Sequence, residues 1–221
     1  SIKQDKANIE KWAYEYEKVT SNPATGIKKL TIPPRQHYAE DRDYYYLLNI
    51  AKQSNYWYVQ YAMEIAYLCR SRMCEVVDLT DANELPEGLI IRRRKGSKAN
   101  ITEWQPRPKA AWDAITPKRN TILSGRKQPH PIRADMRYLF ISERTGDKIT
   151  ISSMKTASQR INQQAEAQAK QDGVDFTHFT FHDLKRKGIS DTAPADRMAS
   201  AGHRSPEMMS VCDVKPDVVQ P

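Results

Sequence analysis

The sequence has little cysteine and no long apolar run. Three cysteines in 221 residues, Cys69, Cys74 and Cys212, are too few and the wrong parity for a disulfide framework, and they point to a reducing compartment. None stands in a Cys-x-x-Cys pair or a Cys/His cluster with zinc spacing, so no metal site is expected. No run of ~18 apolar residues occurs, which excludes an ordinary membrane-spanning helix. The opening SIKQDKANIEKWAYEYEKV lacks an apolar core and a cleavage signature, so it does not read as a signal peptide. Internal repeats and low-complexity blocks are absent as well.

What is present is a basic, mixed composition. Hydrophobic residues make up 39% and charged residues 28%, the balance of a folded globular chain. Lys+Arg number 35 against 27 Asp+Glu, a net +8 that favours a polyanionic partner, nucleic acid being the commonest. A merely solubilising surface would carry the same sign.

Residues 6–20 read as a helix with Ile9, Trp12, Ala13 and Tyr16 on one stripe. Asn22-Pro23 and Gly26 end it, and residues 27–40, with Pro33-Pro34, read as a linker. Residues 1–40 are therefore expected to be the end of an N-terminal domain plus linker, and 41–221 a second domain with a C-terminal tail. Asp41 to Cys74 is helical in pattern, broken near Ser54-Asn55. Its aromatics (Tyr44, Tyr45, Tyr46, Tyr56, Trp57, Tyr58 and Tyr61) are read as core rather than as a base-stacking surface. Val76, Val77, Leu79 and Leu89-Ile90-Ile91 are β-prone, and the runs flanking Lys95-Gly96-Ser97-Lys98 predict a hairpin. A short helix over 108–116, a loop over 117–137, a strand at Tyr138–Ile141 and a polar helix from Ser152 to about Lys170 follow. The fold class predicted is α+β and mostly α, with a small antiparallel sheet near 77–104, joined by 138–141, packed on helices.

Four separated segments carry candidate chemistry. Arg72 and Glu75 stand three apart, neighbours on one helical face, the spacing also of a simple surface ion pair. Lys95 and Lys98 flank a mobile turn, from which a lysine can reach a phosphate or donate a proton, or merely guard a sheet edge. In Phe181-His182-Asp183-Leu184-Lys185-Arg186, His182 and Lys185 share a helical face and can grip one phosphate. His178, four before His182, invites a metal pair, but no third ligand is in place. Ala201-Gly202-His203-Arg204 is a glycine turn that can aim a histidine, and Cys212 follows nine residues after His203.

Each segment alone is ordinary; their order is not. An Arg-x-x-Glu after an apolar helix, a hairpin lysine, His-Asp-Leu-cation, then Gly-His and a short helix resembles the catalytic domain of the tyrosine recombinase (phage integrase) family. The resemblance covers about residues 41–214, and FHDLKRKGISD and SAGHRSPEMMSV carry it most strongly. It implies a metal-free, cofactor-free enzyme that cuts and rejoins duplex DNA through a covalent 3′-phospho-protein link. Preorganised cations would stabilise the charge of the pentavalent phosphorane. The expected site is Arg72, Lys95, His182, Lys185, His203 and position 212, supported by Glu75, Asp183 and Arg186. Arg92, Arg93, Arg94, Lys98 and Arg204 are expected on DNA. The implied partners are double-stranded DNA at an attachment core site and further copies in a tetrameric synapse, within a bacterial cytoplasm or nucleoid and away from membranes.

Two positions depart from the family pattern. Position 185 is lysine where arginine is usual, which keeps the charge but loses the bidentate fork; Arg186 stands next to it as a substitute. Position 212 is Cys212 where the family has its tyrosine nucleophile, and the last tyrosine of the chain is Tyr138. A chain deficient in cleavage follows from that reading. A non-catalytic DNA-binding relative and a type IB topoisomerase-like enzyme are the alternatives.

Overall fold

A computed structural model describes residues 37–93, 98–126, 130–202 and 211–213, with 8, 11–17, 20, 206 and 209 besides. The chain divides into two compact units, Ser1–Arg35 and Gln36–Pro221. In the first, residues 11–15 are helical, and Trp12 and Tyr16 stack with ring centroids 5.1 Å apart.

The second unit is built on helices. Helix α1 spans Asp41–Gln53 and α2 spans Val59–Leu68, separated at the predicted Ser54-Asn55 break. The short α3 (Met73–Val77) leads to β1 (Gly88–Ile91) and β2 (Asn100–Glu103). After these come α4 (Pro106–Ser124), α5 (Ile151–Asp172), α6 (Phe181–Ser190) and α7 (Arg197–Ala201). The two strands pair antiparallel, Gly88 opposite Glu103 and Ile91 opposite Asn100, as the hairpin signal predicts. The architecture is the expected one, mostly α with a small antiparallel sheet.

Helix α2 is the hub. It buries Val59, Ala62, Met63, Ile65 and Ala66 and packs against α1, α3, α4, α5 and α6. Its approach to α6 is closest at Gly188, where any Cβ would run into the Tyr67 carbonyl. Helix α5 presents Met154, Ala157, Ile161, Ala165 and Ala169 as one apolar stripe, is capped by Thr150, and ends on left-handed Gly173. Of the aromatics, Tyr44 and Tyr58 lie in the core while Tyr45 stays exposed.

Three local expectations are corrected. Val76 and Val77 lie in α3 rather than in a strand, because the Arg72–Glu75 capping box starts a helix there. Helix α4 runs straight through Pro117 instead of stopping at 116. One lost backbone hydrogen bond is outweighed by the face that continues beyond it: Trp112 and Ile115 are buried, and buried Arg119 pairs with Asp81 and donates to the Arg137 carbonyl. Residues 138–141 form no strand of the sheet. Tyr138 and Ile141 each make one isolated bridge, to Thr80 and to Lys148, and the buried Leu139 and Phe140 between them belong to the core.

Candidate active site

The end of α2 sets the first arginine. Arg70 sits in the left-handed region at φ 49°, a conformation side chains rarely adopt, and this turn releases Ser71 and Arg72 into the start of α3. The Glu75 carboxylate, its side chain fully buried, accepts from the Arg72 backbone N–H (2.8 Å) and from Arg72 Nη1 (2.8 Å). It also accepts from Arg93 Nη1 at 3.2 Å. Arg72 therefore keeps one side of its guanidinium on Glu75 and the rest partly open to solvent.

Arg93 departs from its expected place on a DNA-facing turn. Its side chain is fully buried. It donates to the carbonyls of Arg70 (2.7 Å), Cys69 (2.9 Å) and Ser200 (3.0 Å), and to Asn100 Oδ1 (3.0 Å). Every donor is used internally, so Arg93 braces Glu75 and ties the hairpin to α7. Arg92 and Lys98 are exposed, as a DNA-contacting role requires. Arg94, Lys95, His203 and Arg204 lie outside the described residues. The ends that flank them are joined: the Lys98 N–H donates to the Gly202 carbonyl at 3.1 Å, and Asn100 Nδ2 donates to the Ser200 carbonyl at 2.8 Å.

Helix α6 supplies the second group of residues. Asp183 caps it, accepting from the Thr180 N–H and hydroxyl, both at 2.9 Å. This fixes the first turn, which carries His182 on its outer side. Partial burial of the ring, and then the Arg186, Lys185 and Arg72 cations, hold the imidazole below its usual pKa, so it is neutral at pH 7. Lys185 is 1% exposed, and its Nζ has no hydrogen-bond partner among the described residues. Burial first, then Arg72 and Arg93, push it down to about 8. Arg186 is buried beside it.

Cys212 packs among Ile189, Ala201 and Met209. Arg197 from α7 pairs with Asp213 and donates to the carbonyls of Ser190 (3.0 Å) and Thr192 (2.9 Å), which anchors the segment to the end of α6. Burial raises the thiol pKa more than Lys185, Arg186 and Arg72 lower it, so the group is a thiol, not a thiolate, at neutral pH. Arg72, Lys185, Arg186 and Cys212 are thus within electrostatic reach of one another although Arg72 and Cys212 stand 140 positions apart in the chain (212 − 72). His182 joins them through Arg72, Lys185 and Arg186.

Beside Arg72 and His182 opens a cavity of about 670 Å³ between α3, α5 and residues 178–182. Sequence reading did not find it. His178 lines it but is engaged with Glu166 at 2.8 Å, and no group able to hold a metal exists among the described residues. No helix among them is long and apolar enough to cross a membrane.

The sequence matches no protein-family model and no curated protein. Solved structures do match. XerA recombinase superimposes with a TM-score of 0.62 at 15% identity, over 92% of this chain and 68% of that one. A lambda integrase tetramer bound to a Holliday junction gives 0.68 at 16%, over 97% and 59%. The Tn1549 transposon integrase in complex with circular intermediate DNA gives 0.61 at 15%, over 96% and 72%. The fold is that of the tyrosine recombinase catalytic domain. This chain spans about three fifths of the lambda integrase chain, and identities this low speak for the fold alone.

Proposed function

We propose that this is the catalytic domain of a site-specific DNA recombinase or integrase, which binds duplex DNA at a core site and assembles on it with further copies. The observation that carries this reading is the convergence of Arg72, His182, Lys185 and position 212 from distant segments. Arg72 and Lys185 both retain capacity to donate toward one anion. An oxyanion held there would meet fixed positive charge in a partly dehydrated place, where such charge stabilises a phosphorane more than its ground state. Neutral His182 adds a donor beside it. In this reading position 212 is the place of the attacking group: a tyrosine hydroxyl there would form the 3′-phospho-protein bond and release a 5′-hydroxyl, a hydroxyl that Cys212 does not supply, while Lys95 and His203 complete the site.

With Cys212 in place, the neutral, buried thiol favours a second reading, a chain that occupies DNA without cutting it. The two separate in one experiment. Cys212→Tyr protein is incubated with a randomised library of nicked suicide duplexes and run on a denaturing gel. A covalent adduct that disappears with Arg72→Ala supports the recombinase reading. Retardation of duplex without adduct at any sequence leaves the non-cleaving one. Relaxation of supercoils without site preference would instead indicate topoisomerase-like chemistry.

A further inference from the structure

We propose that the cavity beside Arg72 and His182 is a nucleobase pocket, taking one unstacked base of the strand whose phosphate those residues hold. The inference rests on the DNA reading above and adds to it a specificity-determining site. Much of the wall is apolar: Met73 from α3, Ile151 from α5, and Phe179 and Phe181 before and at the start of α6. Lys155, Ser158, Gln159, His178 and Thr180 also line it but keep contact with solvent, whereas the polar side chain of Asn162 is buried, its residue 1% exposed. Its Nδ2 donates to the Ser158 carbonyl at 3.1 Å, which fixes the amide, since the flipped orientation would set two oxygens against each other. That leaves Oδ1 buried with no partner among the described residues. A buried acceptor without a donor costs about 1–3 kcal/mol, and folded proteins seldom leave one so.

The missing ligand is therefore described by its chemistry. It has a flat apolar body, brings an N–H donor to the buried Oδ1, and carries its negative charge at the Arg72–His182 rim. A cavity of about 670 Å³ is within the usual range for a ligand of nucleotide size. A nucleobase linked to the adjacent phosphate meets all three requirements. Adenine, cytosine and guanine offer an exocyclic amine; thymine offers only its ring N–H, so it should gain less. Extruding a base from duplex costs a few kcal/mol, least where the strand is nicked or mispaired.

The test is isothermal titration of the 221-residue protein with inorganic phosphate, thymidine 3′-monophosphate and deoxyadenosine 3′-monophosphate. The adenine nucleotide is expected to bind about tenfold tighter than phosphate, the size of one stacking and hydrogen-bonding contribution. Asn162→Leu should remove most of that gain and leave phosphate affinity unchanged. Ile151→Trp, made at a partly exposed residue at the mouth, should do the same without disturbing the core, and it carries the test if Asn162→Leu does not fold. Nucleotides that bind no better than phosphate, or a gain neither variant reduces, would overturn the pocket. In that event, phosphate binding that Arg72→Ala weakens leaves the DNA reading standing, whereas phosphate binding indifferent to Arg72 breaks that reading instead. A dimer in sedimentation that Ile151→Trp dissociates, with nucleotide affinity unmoved, would assign the cavity to a second copy and equally overturn the proposal.

Discussion

Lys185 and Lys187 stand two residues apart in α6, both almost completely buried, and their surroundings are opposite. Two positions along a helix differ by about 200° in direction, so the two lysines face different neighbours. Lys187 Nζ lies 2.9 Å from the Tyr38 hydroxyl, 2.5 Å from Asp41 and 3.3 Å from Asp191, with the Tyr38 and Tyr67 rings 4.5 and 5.3 Å away. Burial alone would push its pKa down, but Asp41 and Asp191 carry it above the ordinary value. Burial pushes the Lys185 pKa down as well, and there Arg72 and Arg93 add to the fall, which Glu75 offsets only in part. One ammonium is saturated by its own fold, and the other has no hydrogen-bond partner among the described residues. Buried charge of the first kind fastens the helix; charge of the second kind is a sign of function bought with stability.

The largest expected effect comes from the saturated side. Lys187→Met should destabilise the protein by about 3 kcal/mol, the low end for breaking a buried pair because Asp41 and Asp191 keep some contact with solvent. Urea unfolding checks it. An unchanged midpoint would show that the tyrosine–aspartate ring does not fasten α6.

On the other side the sign reverses. Lys185→Met removes a buried cation whose unfavourable contacts with Arg72 and Arg93 are offset only in part by Glu75, and keeps most of its volume. It should stabilise the fold by about 1–2 kcal/mol while weakening binding of duplex DNA. The same urea titration and a fluorescence anisotropy assay at constant salt read the two effects separately. A destabilised Lys185→Met protein would mean that this lysine, like its neighbour, is structural.

That contrast is invisible in Lys185-Arg186-Lys187, where the letters alone cannot say which cation meets carboxylates. What was legible had a local cause: the break at Ser54-Asn55 and the hairpin on either side of its basic turn. Arg93 was misread because Arg92-Arg93-Arg94-Lys95 looks like one solvated charge run. Yet Leu89 and Ile91 are buried, and period-two alternation carries the same face on to residue 93. Glu75, an acid embedded in an apolar stretch, was the partner that face was pointing to. Pro117 misled for the opposite reason. A local rule predicted a stop, and the spacing of Trp112, Ile115 and Arg119 showed one face running through it. The cavity floor at Asn162 had no local signal, because its solitude depends on three segments that meet only in the fold.

The smallest expected effect is also the finest test of the comparison. With a folded pKa of about 8 for Lys185 against about 10.4 unfolded, the unfolded chain holds the extra proton between those values. Unfolding free energy should therefore gain from this group as pH rises through that window, and Lys187, its pKa raised, gives the opposite slope at higher pH. Phosphate affinity follows the charge itself. It should be full at pH 7 and fall above pH 8 as the free lysine loses its proton, with the bound anion moving that fall somewhat upward. Lys185→Arg, whose guanidinium does not titrate in this range, should flatten both slopes and restore a bidentate grip. If stability and phosphate affinity of the unsubstituted protein are both level from pH 7 to pH 9, Lys185 is not poised as its surroundings imply, and the difference between the two lysines reduces to one of packing.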